Sequence, residues 1–335
     1  MTTPPLVDVL ILGGGPAGLA CAGALARQLH SAIVFSNSTF RNARARHMHN
    51  VAGWDHQDPA VFRAKARADL VERYAGPAGI RFRDVGVASV RRLDDDERGA
   101  ARFEAVDVEG TRYLGRKVVL ATGVRDIMPA RPEGFADLWG YGIFACLFCH
   151  GFEERGAASA GVLATGPFLG GGGNNGAPLM APFISRMASR LAGHVTIYTD
   201  GNEELGTRIR AQLKKSQKFQ IEHRRLTRVA KDPDVKGDAG VLVTLEDGSV
   251  NKEGFLAHAP AFEINGSFAT ELGVTLTPQG HIDAQPPFYS TNVPGVYAAG
   301  DCATMLKTVP VATMMGCCVG AGLAHALQAE DDVEN

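Results

Sequence analysis

Val7-Asp8-Val9-Leu10-Ile11-Leu12-Gly13-Gly14-Gly15-Pro16-Ala17-Gly18 is the stretch whose reading decides the fold. The first six residues are a short apolar run rich in β-branched side chains, the pattern of a strand buried in a parallel sheet. The glycines follow at once. Leu19–Leu29, rich in alanine and leucine, reads as a helix, and Ser31–Phe35 reads as the next strand. A glycine fingerprint inside a strand–helix–strand unit is a dinucleotide-binding signal, whereas the same glycines alone are weak evidence. Gly13 allows the tight turn, Gly15 lets backbone approach a pyrophosphate, and Gly18 lets the helix pack on the strand. Gly14, Pro16 and Ala17 complete the turn, and the helix start offers unpaired N–H groups and a positive dipole end.

One departure from the usual pattern bears on the ligand. The acidic residue that commonly closes the second strand and bonds the adenosine ribose is absent. Ser36-Asn37-Ser38 stands there instead. Ser36 and Asn37 still offer polar groups to a ribose hydroxyl. The departure weakens an NAD reading more than an FAD reading.

The chain has 335 residues, 21% charged and 45% hydrophobic, with a net charge of -2. These are the values of a globular protein of about two domains. The densest basic spot, Arg41, Arg44 and Arg46, is too small for a nucleic-acid footprint, so no nucleic-acid partner is expected. No apolar run reads as long enough to span a bilayer, and the N-terminus lacks the basic region of a signal peptide. The acidic end, Glu330–Asn335, reads as a frayed tail and not as a sorting signal. Six cysteines are too few for a disulfide scaffold at this length, and a cytoplasmic, reducing setting is the expectation.

Further along, Phe103–Val108 and Thr111–Leu114 flank Glu109-Gly110 as a hairpin, and Lys117–Leu120 is a strand ending in Ala121-Thr122-Gly123. A middle region follows, with a strand at Gly161–Thr165, a glycine-rich loop at Gly170–Gly176, a helix at Ala181–Leu191 and a strand at His194–Thr199. A second hairpin turns at Asp247-Gly248. The chain then returns to the first lobe through Thr291–Asp301 and closes with a helix from about Ala312 to Leu327. The expected class is α/β, with two dinucleotide-binding (Rossmann-like) domains, the second inserted into the first. The boundaries read as 1–123, 124–253 and 254–335.

The chemistry centres on Cys146-Leu147-Phe148-Cys149-His150-Gly151. Two cysteines three apart can close a small redox-active disulfide. A zinc half-site is the weaker reading, because four-ligand sites want a second pair at suitable spacing. A buried structural pair is the other bland possibility. Cys21 and Cys302 read as core residues, and Cys317 and Cys318 as packed on the last helix.

This order of motifs, with Tyr297-Ala298-Ala299-Gly300-Asp301 near the end, resembles the low-molecular-weight thioredoxin reductases. The resemblance covers nearly the whole chain. It implies FAD as cofactor, a homodimer, and a second domain that carries the disulfide. It places Asp301, after Gly300, on the flavin's ribityl chain, and Val309, Pro310 and Val311 where the last helix nears the flavin ring. Arg41, His49 and Asn50 fall in the loop that crosses the FAD, and Ala121 and Gly123 close the first FAD segment. Phe40–Asn50 together with Cys146–Gly151 is similar to the dithiol oxidases that close the disulfide of gliotoxin- and holomycin-type metabolites. These use FAD and O2 and need no NADPH. In ordinary thioredoxin reductases the CxxC is followed by aspartate; here it is followed by His150.

Two features of the middle domain support the loss of an NADPH site. Gly166-Pro167-Phe168-Leu169-Gly170 replaces a second fingerprint, and proline lacks an N–H. Asp200-Gly201-Asn202-Glu203-Glu204 stands where arginines would meet a 2′-phosphate. The activity that the resemblance implies, and that these features support, is oxidation of a small-molecule dithiol to a cyclic disulfide, with O2 as acceptor and H2O2 as product. Cys146 and Cys149 exchange with substrate and His150 serves as base, since histidine exchanges protons near neutral pH. A helix starting at the CxxC would lower the cysteine pKa values further. No metal is expected. Two rival readings are an NADPH-dependent reductase of a thioredoxin-like protein, and a non-catalytic flavoprotein that sequesters a toxic dithiol.

Overall fold

The computed structural model describes residues 6–74, 79–93, 102–166, 180–213 and 216–334. The chain divides into two compact units, Met1–Arg125 with Glu263–Asn335, and Asp126–Phe262. One α/β dinucleotide-type unit is thus inserted into another.

The first unit opens with β1 (Leu6–Leu12), α1 (Pro16–Ala26), β2 (Ala32–Phe35), α2 (Pro59–Arg73), β3 (Ile80–Arg83), β4 (Val87–Arg92), β5 (Phe103–Asp107) and β6 (Arg112–Leu120). The chain crosses over in β7 (Val124–Ile127). The second unit follows with α3 (Phe135–Leu138), β8 (Ile143–Phe144), β9 (Ala157–Leu163), α4 (Ala181–Ala188), β10 (Ala192–Tyr198), α5 (Glu203–Gln212), β11 (Phe219–Glu222), β12 (Leu226–Lys231), β13 (Val241–Leu245), β14 (Val250–Glu253) and β15 (Leu256–Ala257). The return runs through β16 (Ala261–Ile264), α6 (Phe268–Glu271), β17 (Val296–Ala298) and α7 (Val309–Glu334).

In the first unit the sheet order is β3-β2-β1-β6-β5-β4, with β17 beside β6. Register does the positioning work. Leu12 lies opposite both Phe35 and Leu120, and Leu120 opposite Ala298. The residues after these strand ends, Gly13, Ser36, Ala121 and Ala299, therefore stand along one sheet edge. Ligands of open α/β sheets bind at the carboxyl ends of the strands, and this is that edge.

α7 covers one face of this sheet together with α1. Met315, Val319, Leu323 and Leu327 share a buried cluster with Cys21, Ala22 and Leu25. The helices approach closely because Gly316 and Gly320 carry no side chain. A Cβ at Gly316 would lie 2.1 Å from the Ala17 carbonyl oxygen, and one at Gly320 would lie 2.5 Å from the Ala24 Cβ. The expectation that no segment reaches membrane-spanning length and apolarity does not hold for this helix. Val309–Asp332 passes on both counts, with a mean hydropathy of 1.4 over its best window. Packing on α1 accounts for part of that composition, since 44% of that window is buried.

The acidic end is not a frayed tail either, since the helix continues to Glu334. Arg116 holds Glu330 at 3.2 Å and Asp331 at 2.7 Å, and Lys117 also pairs with Glu330. Arg116→Ala is expected to cost roughly 1 kcal/mol, as these carboxylates are half exposed, and to lower the thermal midpoint by about 2–4 °C. A thermal melt checks it.

A second tie sits near the loop before α7. The Lys307 ammonium donates to His281 Nε2 at 2.5 Å and to the Thr304 carbonyl at 2.8 Å. Burial, with the Lys307 charge beside it, pushes the His281 imidazole down to about 4 from 6.5. Between those values the unfolded chain binds a proton that the folded chain does not. Stability contributed by the neutral ring is complete above the unfolded value and falls as pH drops toward 4, by on the order of 2 kcal/mol. In melts from pH 7 to pH 4.5, His281→Leu should flatten that part of the acid limb.

In the second unit the sheet order is β11-β10-β9-β15-β8, and β12-β13-β14 form a separate antiparallel sheet. β15 pairs in parallel with β9 and β8. That pairing keeps Gly254–Phe262 in the second unit, so the chain returns at Glu263 and not at residue 254.

Candidate dinucleotide cradle and redox disulfide

In the first unit each fingerprint glycine has a distinct reason. Gly13 adopts φ +124°, and a Cβ there would lie 2.1 Å from the Ala121 carbonyl oxygen. A Cβ at Gly14 would press on Ser36 at 2.7 Å, and one at Gly18 would lie 1.9 Å from the Gly13 oxygen. Gly15 differs: a Cβ there meets nothing within 4 Å. The turn is thus crowded on the protein side and open at Gly15. Gly15 is the N-cap of α1, where no side chain caps the helix, and Pro16 occupies its first turn. Unpaired N–H groups at an open helix start suit a pyrophosphate. Gly300 (φ +83°) completes the wall, as its Cβ would lie 3.0 Å from the Ala17 Cβ. These residues fit a dinucleotide.

The other expected contacts are placed as follows. Ser36 Oγ accepts from the Ser38 N–H at 3.2 Å, and Asn37 Oδ1 accepts from the Thr39 N–H at 3.1 Å. Both thus shape the turn after β2. Arg41 reaches Asp301, at 3.2 Å, across a long stretch of sequence. His49 and Asn50 share a different partner, Asp55: His49 Nδ1 lies 3.5 Å from its carboxylate, and the Asn50 N–H donates to it at 3.0 Å. Gly123 adopts φ +65°, and its carbonyl accepts from the Asn265 N–H at 3.2 Å. Val309, Pro310 and Val311 form the first turn of α7, and the Val311 N–H donates to Thr308 Oγ1 at 3.3 Å. Thr308 and Asn265 were missed in the sequence, the first although a threonine before a Val-Pro pair is a helix-start signal.

In the second unit Cys146 and Cys149 form a disulfide with their Cα atoms 5.2 Å apart. Both are half-buried. The chain folds into one turn here: the Cys149 and His150 N–H groups donate to the Cys146 carbonyl at 3.1 and 3.0 Å. Among the described residues no α-helix starts at the cysteines. A 3-10 turn over Phe152–Glu154 follows instead, so the expected help from a helix dipole reduces to single N–H groups. One of these matters: the Cys149 N–H donates to Cys146 Sγ at 3.2 Å. A hydrogen bond to sulfur favours the Cys146 thiolate once the pair is reduced. His150 stacks on Phe144, with centroids 5.3 Å apart and planes 10° apart. Gly151 is required by space, because a Cβ would lie 2.6 Å from the Leu147 oxygen and 3.0 Å from Leu191.

The remaining cysteines separate by burial. Cys21 and Cys302 are fully buried, and burial pushes the Cys302 thiol up to about 11. Cys317 is exposed and Cys318 half-buried, which corrects the expectation that both pack away.

Pro167, Phe168, Leu169 and the Gly170–Gly176 loop lie outside the described residues. The acidic segment after β10 is described, and its charge has a local cause. Asn202 Oδ1 caps α5 by accepting from the Leu205 N–H at 2.9 Å, and Glu203 and Glu204 occupy its first turn, where negative charge suits the dipole. The Asp200 carboxylate accepts from the Leu226 N–H at 2.8 Å. A cation also stands beside this segment, since a Cβ at Gly201 would lie 3.2 Å from Arg225 Nε.

Residues 7–316 match the model of the pyridine nucleotide-disulphide oxidoreductase family. Thioredoxin reductase aclD of Aspergillus oryzae is 42% identical, over 96% of this chain and 97% of its own. Thioredoxin reductase sirT of Leptosphaeria maculans is 40% identical, over 96% and 94%. The crystal structure of an oxidoreductase from Agrobacterium tumefaciens superposes with a TM-score of 0.80 at 26% identity, covering 97% of this chain and 99% of that one. The chain belongs to the pyridine nucleotide-disulphide oxidoreductases, a family of flavoenzymes, and is a thioredoxin reductase-like disulfide oxidoreductase.

Proposed function

We propose that this protein is an FAD-dependent oxidase that closes a small-molecule dithiol into a cyclic disulfide. The observation that carries the reading is the Cys146–Cys149 disulfide, held in a single turn with the His150 ring seated on Phe144 directly after it. Gly13–Gly18, Ser36, Asn37, Ala121, Gly123, Gly300 and Asp301 would hold the FAD, with Val309–Val311 beside its ring.

In this reading the exchange runs through the disulfide turn. A substrate thiolate attacks Cys146 Sγ and expels the Cys149 thiolate. The second substrate thiol then attacks its own mixed-disulfide sulfur and expels Cys146. The Cys149 N–H, 3.2 Å from Cys146 Sγ, stabilises that leaving thiolate, and a better leaving thiolate departs faster. His150 takes the proton of the attacking thiol, its ring orientation fixed by Phe144. The chemistry supplied by bound FAD is transfer of the pair's two electrons to O2, which leaves as H2O2.

A second reading, an NADPH-dependent reductase, is favoured by the names of the relatives and by Arg225 at Gly201. Oxygen uptake separates the two. The oxidase reading expects one H2O2 per cyclic disulfide from a small dithiol and air alone. Turnover that begins only when NADPH is added would contradict it.

A further inference from the structure

The disulfide turn carries two aromatic side chains that the exchange chemistry does not use. Phe148 lies between the cysteines and is 68% exposed, and Phe152 lies just beyond His150 and is 66% exposed. Among the described residues they are the two most exposed large apolar side chains of the second unit. A phenyl group gains roughly 1.5–3 kcal/mol on full burial. Single exposed apolar side chains are ordinary, but a concentration of them marks a binding site.

Phe152 is also held in place. The Arg155 guanidinium sits 4.0 Å from its ring centroid and donates to its carbonyl at 2.8 Å. One face of the ring is therefore backed by a cation. Phe144 and the His150 ring stacked on it lie in the same short segment, so the sulfur atoms sit within an aromatic stretch of chain.

We propose that Phe148 and Phe152 are the specificity-determining residues of this disulfide, an aromatic pair that seats the apolar ring of a small dithiol. The inference rests on the dithiol reading above and adds which property of the substrate is recognised. The exchange is unchanged: two substrate S–H bonds are lost, the substrate S–S bond forms, the Cys146–Cys149 bond breaks, and the two electrons end on the cysteine pair. A small ring system can be covered by one or two phenyl groups, whereas a stable protein partner needs roughly 800 Å² on each side.

The test is anaerobic stopped-flow reduction of the holoenzyme by 1,2-bis(mercaptomethyl)benzene, by dithiothreitol and by reduced thioredoxin. The wild type should favour the aromatic dithiol over dithiothreitol by about tenfold or more per contacting ring. The Phe148→Ala/Phe152→Ala variant should lose that preference while its rate with dithiothreitol stays within about twofold. Phe152→Tyr, which keeps a ring, should retain it. Equal losses with both dithiols, no loss with either, or reduced thioredoxin as the preferred reductant would overturn the proposal. A wild-type disulfide inert to both small dithiols removes the dithiol reading itself. One that reacts with both indiscriminately removes only this inference.

Discussion

Cys149→Ser, and separately Cys146→Ser, should reduce dithiol oxidation by on the order of a thousandfold or more, because the thiolate and not a hydroxyl is the exchanging species. Flavin content should stay at the wild-type level, since the cradle belongs to the first unit and the cysteines to the second. Binding of the dithiol should survive in both variants, as the Phe148 and Phe152 rings are untouched. Peroxide formation measures the first property and equilibrium dialysis the third. A protein that merely sequesters dithiols would show no difference from wild type in either measurement. A variant that keeps a tenth of the activity would move the exchange elsewhere, and Cys317, the exposed free thiol, would be the first residue to replace.

Gly18→Val should yield protein without flavin and with a thermal midpoint well below wild type. The new Cβ would lie 1.9 Å from the Gly13 carbonyl oxygen. That oxygen cannot retreat, because the Gly13 N–H is bonded to the Phe35 carbonyl at 3.0 Å and Gly13 itself abuts Ala121. Overpacking of this kind costs about 3 kcal/mol. Gly15→Ala is the informative partner. Its φ of -79° is open to any residue and its Cβ meets open space, so the midpoint should hold. The methyl group would stand where a pyrophosphate approaches, and flavin affinity should fall by about tenfold or more. The ratio of flavin to protein absorbance after dialysis, with a melt of each variant, reads both effects. Full flavin retention in Gly15→Ala would contradict the cradle.

What could be read in the sequence was what depends on short-range chemistry. β1, the glycine turn and β2 announce themselves because strand pattern and turn residues are adjacent. The hairpins at Glu109-Gly110 and Asp247-Gly248 were legible from their turn chemistry, with Gly110 and Gly248 at positive φ. What depends on distant partners was not legible. The end of α7 is ordered by Arg116 and Lys117, far away in the chain, and an acidic terminus alone shows no such anchor. α7 begins at Val309, three residues before the start near Ala312 that the composition suggests, and Pro310 is tolerated there because the N–H of a residue in the first helical turn is not needed. The return point was placed too early because β15 is two residues long and its neighbours β8 and β9 come from elsewhere.

The disulfide turn shows the same division. The CxxC and His150 were visible as residues, but the sequence could not show that the chain makes one turn there in place of a helix. Nor could it show that the Cys149 N–H points at Cys146 Sγ. From its charge alone, the acidic Asp200–Glu204 segment is a barrier to phosphate. Its capping of α5 is a sufficient local cause, so that segment carries less weight against NADPH than its charge alone implied.

The most direct measurement is the flavin absorbance of the purified protein under anaerobic conditions, with a reduced small-molecule dithiol added to one sample and NADPH to another before air is admitted. The dithiol should bleach the flavin, NADPH should not, and air should restore the colour with formation of H2O2. Rapid bleaching by NADPH, with none by the dithiol, would contradict the oxidase reading and make the protein a reductase.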